Sequence, residues 1–197
     1  GEHAERSWQR ISDTLGVAPR RVRQVHGRAV VRVRAGEDPT VLAATPADAM
    51  VSDVPGLALV VRAADCLPVL FVDPEAHLIG AAHAGRVGLV AGDLEATVSA
   101  LTDLGASRLT AWIGPHICGT CYEVPAPMRE EVAAQLPAAW SRTAWGTPGL
   151  DLGAAAESVL VGLGVAVSRQ DRCTLTEAGL HSFRRDGAAS GRGGGLV

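Results

Sequence analysis

The sequence predicts an α+β fold, a single domain of mixed β-sheets packed between helical layers. Three observations carry this expectation. The chain has 197 residues, 47% hydrophobic but only 4% aromatic, which is enough for one full core built from Val, Leu and Ala. Short apolar, β-branched runs bounded by turn residues crowd into residues 49–85, while other stretches carry apolar residues at helical spacing. The two kinds of segment do not alternate regularly, which argues against a doubly wound parallel sheet.

Trp8, Ile11 and Leu15 recur at helical spacing and Gly16 follows, so residues 4–15 read as an amphipathic helix. Val22, Val25 and Val30-Val31-Arg32-Val33 read as strands around Gln24-Val25-His26-Gly27, which puts His26 at a strand end. Strands are expected at 49–52, 57–62, 69–72 and 78–82, with turns at Pro55-Gly56 and Asp73-Pro74. Leu94, Val98 and Leu101 mark a helix stopping at Leu104-Gly105, and a strand at 109–113 runs into Gly114-Pro115. Helices at 126–136 and 150–162 and a strand at 165–168 complete the series. The tail from Gly187 to Val197 holds five glycines and reads as loop or frayed edge. No helix can follow Gly191-Arg192-Gly193-Gly194-Gly195, so that run is not a dinucleotide fingerprint.

Charge and composition narrow the function. All 18 basic residues are arginine, against 21 acidic ones, for a net charge of −3. Nothing in that balance suits a dedicated nucleic-acid binder. The absence of lysine excludes Schiff-base and pyridoxal-phosphate enzymes, Walker-type phosphate loops and Ser-x-x-Lys hydrolases, leaving Arg, His and backbone amides to grip any anion. Apolar runs such as Leu57-Ala58-Leu59-Val60-Val61 fall far short of the roughly 20 residues of a membrane span. Gly1-Glu2-His3-Ala4-Glu5-Arg6 lacks the apolar centre of a signal peptide, so a cytoplasmic setting is expected. In such a setting the four cysteines read as thiols or ligands rather than disulfides.

His26, Cys66 and His83 stand out as candidate metal ligands, each closing an apolar segment beside small residues. Two imidazoles and a thiolate suit zinc, which with three protein ligands keeps a fourth position open for catalysis. Any one of them alone reads more readily as a packed core residue, and separations of 40 and 17 residues form no local metal motif. Cys118-Gly119-Thr120-Cys121 suggests a thioredoxin or zinc-knuckle element but has no second Cys-x-x-Cys to match it. Arg184-Arg185 offers an anion site or a solvated surface.

Read together, these fragments resemble the laccase-domain family known as YfiH or YlmD. The resemblance runs through Gln24-Val25-His26-Gly27, Ala47-Asp48-Ala49-Met50-Val51, Ala64-Asp65-Cys66-Leu67-Pro68-Val69 and Gly80-Ala81-Ala82-His83-Ala84-Gly85. It continues in Gly114-Pro115-His116-Ile117, Cys121-Tyr122-Glu123-Val124, Leu150-Asp151-Leu152, Arg184-Arg185-Asp186-Gly187 and Gly191-Arg192. It implies a zinc site at His26, Cys66 and His83. It further implies phosphorolysis of adenosine, inosine and methylthioadenosine to base and pentose 1-phosphate, together with adenosine deamination. The partners would then be a purine nucleoside and phosphate, with Arg62, Arg86, Cys121, Arg184 and Arg185 as candidate contacts. Asp65 would be a supporting or proton-handling carboxylate, reaching the site only if the backbone turns beside it.

Two departures from the family pattern bear on that expectation. Where the family carries His-Ala-Gly-Trp-Arg-Gly, this chain reads His83-Ala84-Gly85-Arg86-Val87-Gly88. The family's amino-terminal Thr-Arg-x-Gly-Gly segment has no counterpart in the sequence. Rival readings are a copper-dependent polyphenol oxidase, a thiol hydrolase or amidase editing peptidoglycan precursors with Cys66 as nucleophile and His83 as base, and a non-catalytic zinc-stabilised module. The first lacks the His-x-His pairs of multinuclear copper oxidases.

Overall fold

The computed structural model describes residues 2–197. Its chain order is α1 (Glu2–Leu15), β1 (Ala18–Arg20), β2 (Val30–Arg32), α2 (Pro39–Ala44), β3 (Ala49–Ser52), β4 (Leu57–Ala63), β5 (Leu67–Asp73) and β6 (Leu78–Ala84). Next come α3 (Arg86–Ala91), α4 (Asp93–Asp103), β7 (Thr110–Ile113), α5 (Ala126–Gln135), β8 (Trp140–Arg142) and β9 (Pro148–Leu150). The chain closes with α6 (Leu152–Gly162), β10 (Ala166–Arg169), α7 (Phe183–Asp186) and β11 (Gly193–Leu196). The mixed α+β order expected from the sequence is the order observed.

A six-stranded sheet runs β10-β7-β5-β6-β3-β2, antiparallel at its centre and parallel at both outer pairs. Because side chains alternate across a pleat, one face presents Val51, Val69, Phe71, Ala82 and Ile113. These pack with Leu94, Leu101, Leu152 and Leu160 of α4 and α6. Met50 and Ala81 share the other core with Leu59 and Val61 of β4, the middle strand of a three-stranded sheet ordered β1-β4-β11. The layers are thus helices, large sheet and small sheet, with β8 and β9 forming a separate ribbon.

Asp73 fastens one end of the large sheet. Its buried carboxylate accepts N–H bonds from Arg108, Ala76, Ser107 and Glu75 at 2.7–3.0 Å. Those bonds tie the β5–β6 turn to the α4–β7 loop and hold the carboxyl down to about 2.

Three expectations need correction. Val22 and Val25 lie in the connection between β1 and β2, where Gln24 uses its side-chain amide as a strand would use its backbone. Its Nε2 donates to Arg62 O at 2.7 Å and its Oε1 accepts from Arg62 N at 2.9 Å. His26 therefore sits in a loop, with φ +60°, rather than at a strand end. The glycine tail is not frayed: β11 pairs antiparallel with β4, Gly194 opposite Arg62, and Val197 N donates to Leu59 O at 3.2 Å.

Candidate metal centre

Cys66 lies in the connection from β4 to β5, His83 near the end of β6, and His26 in its own loop. The folding of β5 against β6 and the loop around Asp48 bring them together. One ligand atom from each lies within 4.8 Å of the others. Cys66 Sγ is 3.8 Å from His26 Nε2, close to the N···S edge of about 3.6 Å that a tetrahedral zinc site would have. The imidazoles of His26 and His83 meet edge to face, 4.8 Å between ring centres.

Asp48 organises the cluster. Its carboxylate accepts from the backbone N–H groups of Val25, His26 and Gly27 and lies 2.9 Å from His83 Nδ1. A carboxylate at that position keeps the His83 proton on Nδ1 and leaves Nε2 with a lone pair for a metal, the arrangement that orients imidazole ligands. Burial works against the charge on Asp48, and the bonds from His83, Gly27, Val25 and His26 outweigh it, so the group titrates below its usual range. Burial, then the neighbouring His83, lower His26. Burial and the charge of Asp65 push the Cys66 thiol up to about 11.

Gly85 supplies the space. A Cβ there would lie 2.9 Å from His26 Cδ2 and 3.1 Å from Cys66 Sγ, so only glycine lets both side chains close on one point. The His26 imidazole and the Cys66 sulfur, a second imidazole on His83 with its tautomer fixed, and a cradle that a methyl group would fill together fit a zinc-type or copper-type cation.

The three donors open onto a cavity of about 1370 Å³. The chain belongs to a known family: the sequence model described as multi-copper polyphenol oxidoreductase laccase matches residues 1–197. Among curated relatives, purine nucleoside phosphorylase ORF3 of Streptomyces griseus is 47% identical over 197 residues, covering 96% of this chain and 78% of the relative. Purine nucleoside phosphorylase SCO2081 of Streptomyces coelicolor is 48% identical over 192 residues, covering 93% and 77%. The crystal structure of YfiH from Bacillus licheniformis superposes with a TM-score of 0.89 at 26% identity, covering 99% of this chain and 80% of that one.

Within this laccase-family fold, Arg62, Asp65, Arg86 and Arg184 line the same cavity as His26, Cys66 and His83. Cys121 and Arg185 do not occur among the described lining residues. Cys121 is buried with Ile117 and Cys173. The Arg185 guanidinium is spent on the carbonyls of Thr174, Leu175, Glu177 and Leu180 and on the carboxylate of Asp186.

The backbone does turn at Asp65, where φ is +86°. Its Oδ1 accepts from Thr174 Oγ1 at 2.6 Å and its Oδ2 from Arg184 N at 2.7 Å. Arg184 in turn donates to Glu123 O at 2.9 Å and lies over the Tyr122 ring, 5.1 Å from its centre. Burial, then the charges of Arg21 and Arg192, lower Arg62.

Sequence reasoning assigned no role to Asp48, Tyr122, Arg192 or Phe183. Asp48 stands in one of the quoted family motifs, which was the available signal. Arg192 and Phe183 reach the cavity only through the fold of the last 15 residues, with the Arg192 guanidinium 5.7 Å from the Phe183 ring centre.

Among the described residues, no helix is long and apolar enough to cross a membrane.

Proposed function

We propose that this chain is a zinc-dependent purine nucleoside phosphorylase. It would convert adenosine, inosine and methylthioadenosine with phosphate into the free base and pentose 1-phosphate, and deaminate adenosine at the same site, in the cytoplasm. The observation carrying this reading is that a His-Cys-His donor set and four arginines, Arg62, Arg86, Arg184 and Arg192, line one cavity. The names of the Streptomyces relatives, both purine nucleoside phosphorylases, support the choice of reaction.

In phosphorolysis a phosphate oxygen bonds to the sugar's anomeric carbon as the bond from that carbon to the purine nitrogen breaks, and the base leaves with a proton. His26, Cys66 and His83 would hold the zinc, which when bound would supply Lewis acidity for charge that builds in the transition state. The remaining work falls to side chains. Arg62, crowded by Arg21 and Arg192, gains when an anion enters between the like charges. Tyr122, Phe183 and Trp8 offer aromatic surface for a purine. Asp65 acts as a supporting carboxylate, holding the backbone of Arg184 and the hydroxyl of Thr174 in place.

Metal analysis combined with an adenosine assay tests the reading. Zinc-loaded protein is expected to release adenine and pentose 1-phosphate only when phosphate is present, and inosine without it. Phenol oxidation by copper-loaded protein with no nucleoside turnover would replace it by the oxidase. Metal-free turnover with a covalent adduct on Cys66 would replace it by the thiol hydrolase.

A further inference from the structure

We propose that Cys118, Cys121 and Cys173 form a second metal site, separate from the His26, Cys66 and His83 donors, that binds zinc as a structural clasp behind the cavity wall.

The three cysteines come from two distant loops. Cys118 and Cys121 follow β7, and Cys173 follows β10. Parallel pairing of β10 with β7 continues past the strands as a bridge between His116 and Cys173, with Thr174 N donating to His116 O at 3.0 Å. That register delivers Cys173 to the Cys-x-x-Cys turn, which is itself closed by Cys121 N and Tyr122 N donating to Cys118 O at 2.9 and 3.0 Å. All three sulfurs lie within 4.8 Å of one another, and none is in a disulfide. Tetrahedral zinc thiolates are spaced by about 3.8 Å, so a small closing movement suffices.

Packing alone does not account for the arrangement. Hydrophobic burial is served by dispersed thiols, whereas here three sulfurs converge on one point, and a disulfide would use two and strand the third. Cys118 N also donates to Cys173 Sγ at 3.4 Å, a backbone bond of the kind that steadies a thiolate ligand. Cys121 and Cys173 are buried while Cys118 is partly exposed. A cleft of about 60 Å³ lined by His116, Cys118, Asp151, Arg169, Asp171 and Arg172 adjoins this partly exposed cysteine, leaving room for solvent to complete four-coordination.

Each ligand sits next to a residue that lines the main cavity or bonds to one that does. Tyr122, beside Cys121, lines the cavity, and Thr174, beside Cys173, donates to Asp65. Ile117, beside Cys118, donates its N–H to Asp65 O at 3.0 Å. A metal joining the three sulfurs therefore fixes the segments that hold Asp65 and, through it, Arg184. The cysteines are positioning residues for the cavity and touch no substrate.

The test uses the full chain, purified under reductant, loaded with excess zinc and desalted. Wild type is expected to hold two zinc ions per chain. Cys66→Ser/His26→Ala should retain one and lose thermal stability on chelation, and Cys118→Ser/Cys173→Ser should retain one as well. With cobalt(II) in place of zinc, the ion retained by Cys66→Ser/His26→Ala should show the stronger thiolate charge-transfer absorption, because it keeps more sulfur ligands. These readouts do not depend on nucleoside turnover, so the proposed reaction can fail while the clasp stands. A Cys66→Ser/His26→Ala chain that holds no metal would overturn the proposal even if the double cysteine variant does not fold. A disulfide among the three sulfurs in reduced, zinc-treated protein would do the same.

Discussion

Asp48 and His83 are buried side by side, with Asp48 Oδ1 2.9 Å from His83 Nδ1, and the same carboxylate gathers the N–H groups of Val25, His26 and Gly27. One side chain thus sets the tautomer of one candidate metal ligand and the backbone of another. Asp48→Asn places an amide NH2 among groups that all donate, so the loop carrying His26 must move. Zinc affinity is expected to fall by about 10–100-fold, measured by competition with a chromophoric chelator, and Tm should fall in the metal-free protein as well. Unchanged affinity would remove Asp48 from the metal centre.

Much of this was legible in the sequence because it is local. The strand at 49–52 coincides with β3, and β5, β6 and α6 lie within two residues of their expected bounds, since each carries its own apolar period or punctuation. What escaped depends on distant partners. The glycines of β11 have no side-chain pattern and become a strand only because β4 offers an edge. The connection at Gln24 looks like a strand because its side-chain amide replaces backbone pairing. Beyond its place in a family motif, Asp48 carries no sign of its role, because its carboxylate serves residues 21 to 35 positions away. Cys173 likewise meets Cys118 across 55 residues.

Gly85→Ala separates metal binding from folding. The backbone at Gly85 has φ −93°, which any residue adopts, so the new methyl group acts only through its contacts with His26 Cδ2 and Cys66 Sγ. Zinc binding should weaken at least tenfold while metal-free Tm stays close to wild type. Isothermal titration alongside thermal melts without metal checks both halves. A large drop in metal-free Tm would mean that the glycine serves the fold instead.

Asp93 is buried at the start of α4, and neither carboxylate oxygen makes a well-formed hydrogen bond. Burial outweighs the pull of the nearby Leu94 and Asp93 backbone N–H groups and, reinforced by the charges of Glu95 and Asp48, raises the carboxyl from 3.8 to about 8. A folded value above the unfolded one means the group favours folding only while protonated, so stability falls as pH rises from about 4 to about 8. The slope approaches about 1.4 kcal/mol per pH unit inside that window. Asp93→Asn should abolish this slope, leaving the variant the more stable at pH 8 and similar to wild type near pH 4. Urea denaturation across the range measures it, and parallel curves for the two proteins would contradict it.

Asp73 has the opposite sign. Its folded value near 2 lies below the unfolded 3.8, so its contribution is present above pH 4 and is lost as the pH drops through about 2. Asp73→Asn should lower Tm at neutral pH and flatten the acid limb of the stability curve. An acid limb identical to wild type would show that the four N–H groups from the two turns find water equally well.

Arg62 gives the sharpest test of the proposed phosphate site. Its backbone is held by the Gln24 side chain and lies opposite Gly194 in the sheet, so the guanidinium can be removed without disturbing the strand. Burial and the charges of Arg21 and Arg192 make that guanidinium costly in the free protein, and an entering phosphate reverses the balance. A charge-assisted hydrogen bond contributes about 1.5–3 kcal/mol, equivalent to a change of roughly 10–100-fold in affinity. Arg62→Gln should therefore raise KM for phosphate by that factor and KM for nucleoside by much less, with Tm unchanged or slightly higher because the crowding is relieved. Added salt should weaken phosphate binding more in wild type than in the variant, since one charge fewer is there to be screened. Equal rises in both KM values would place Arg62 on the nucleoside and move the phosphate to Arg86 and Arg184.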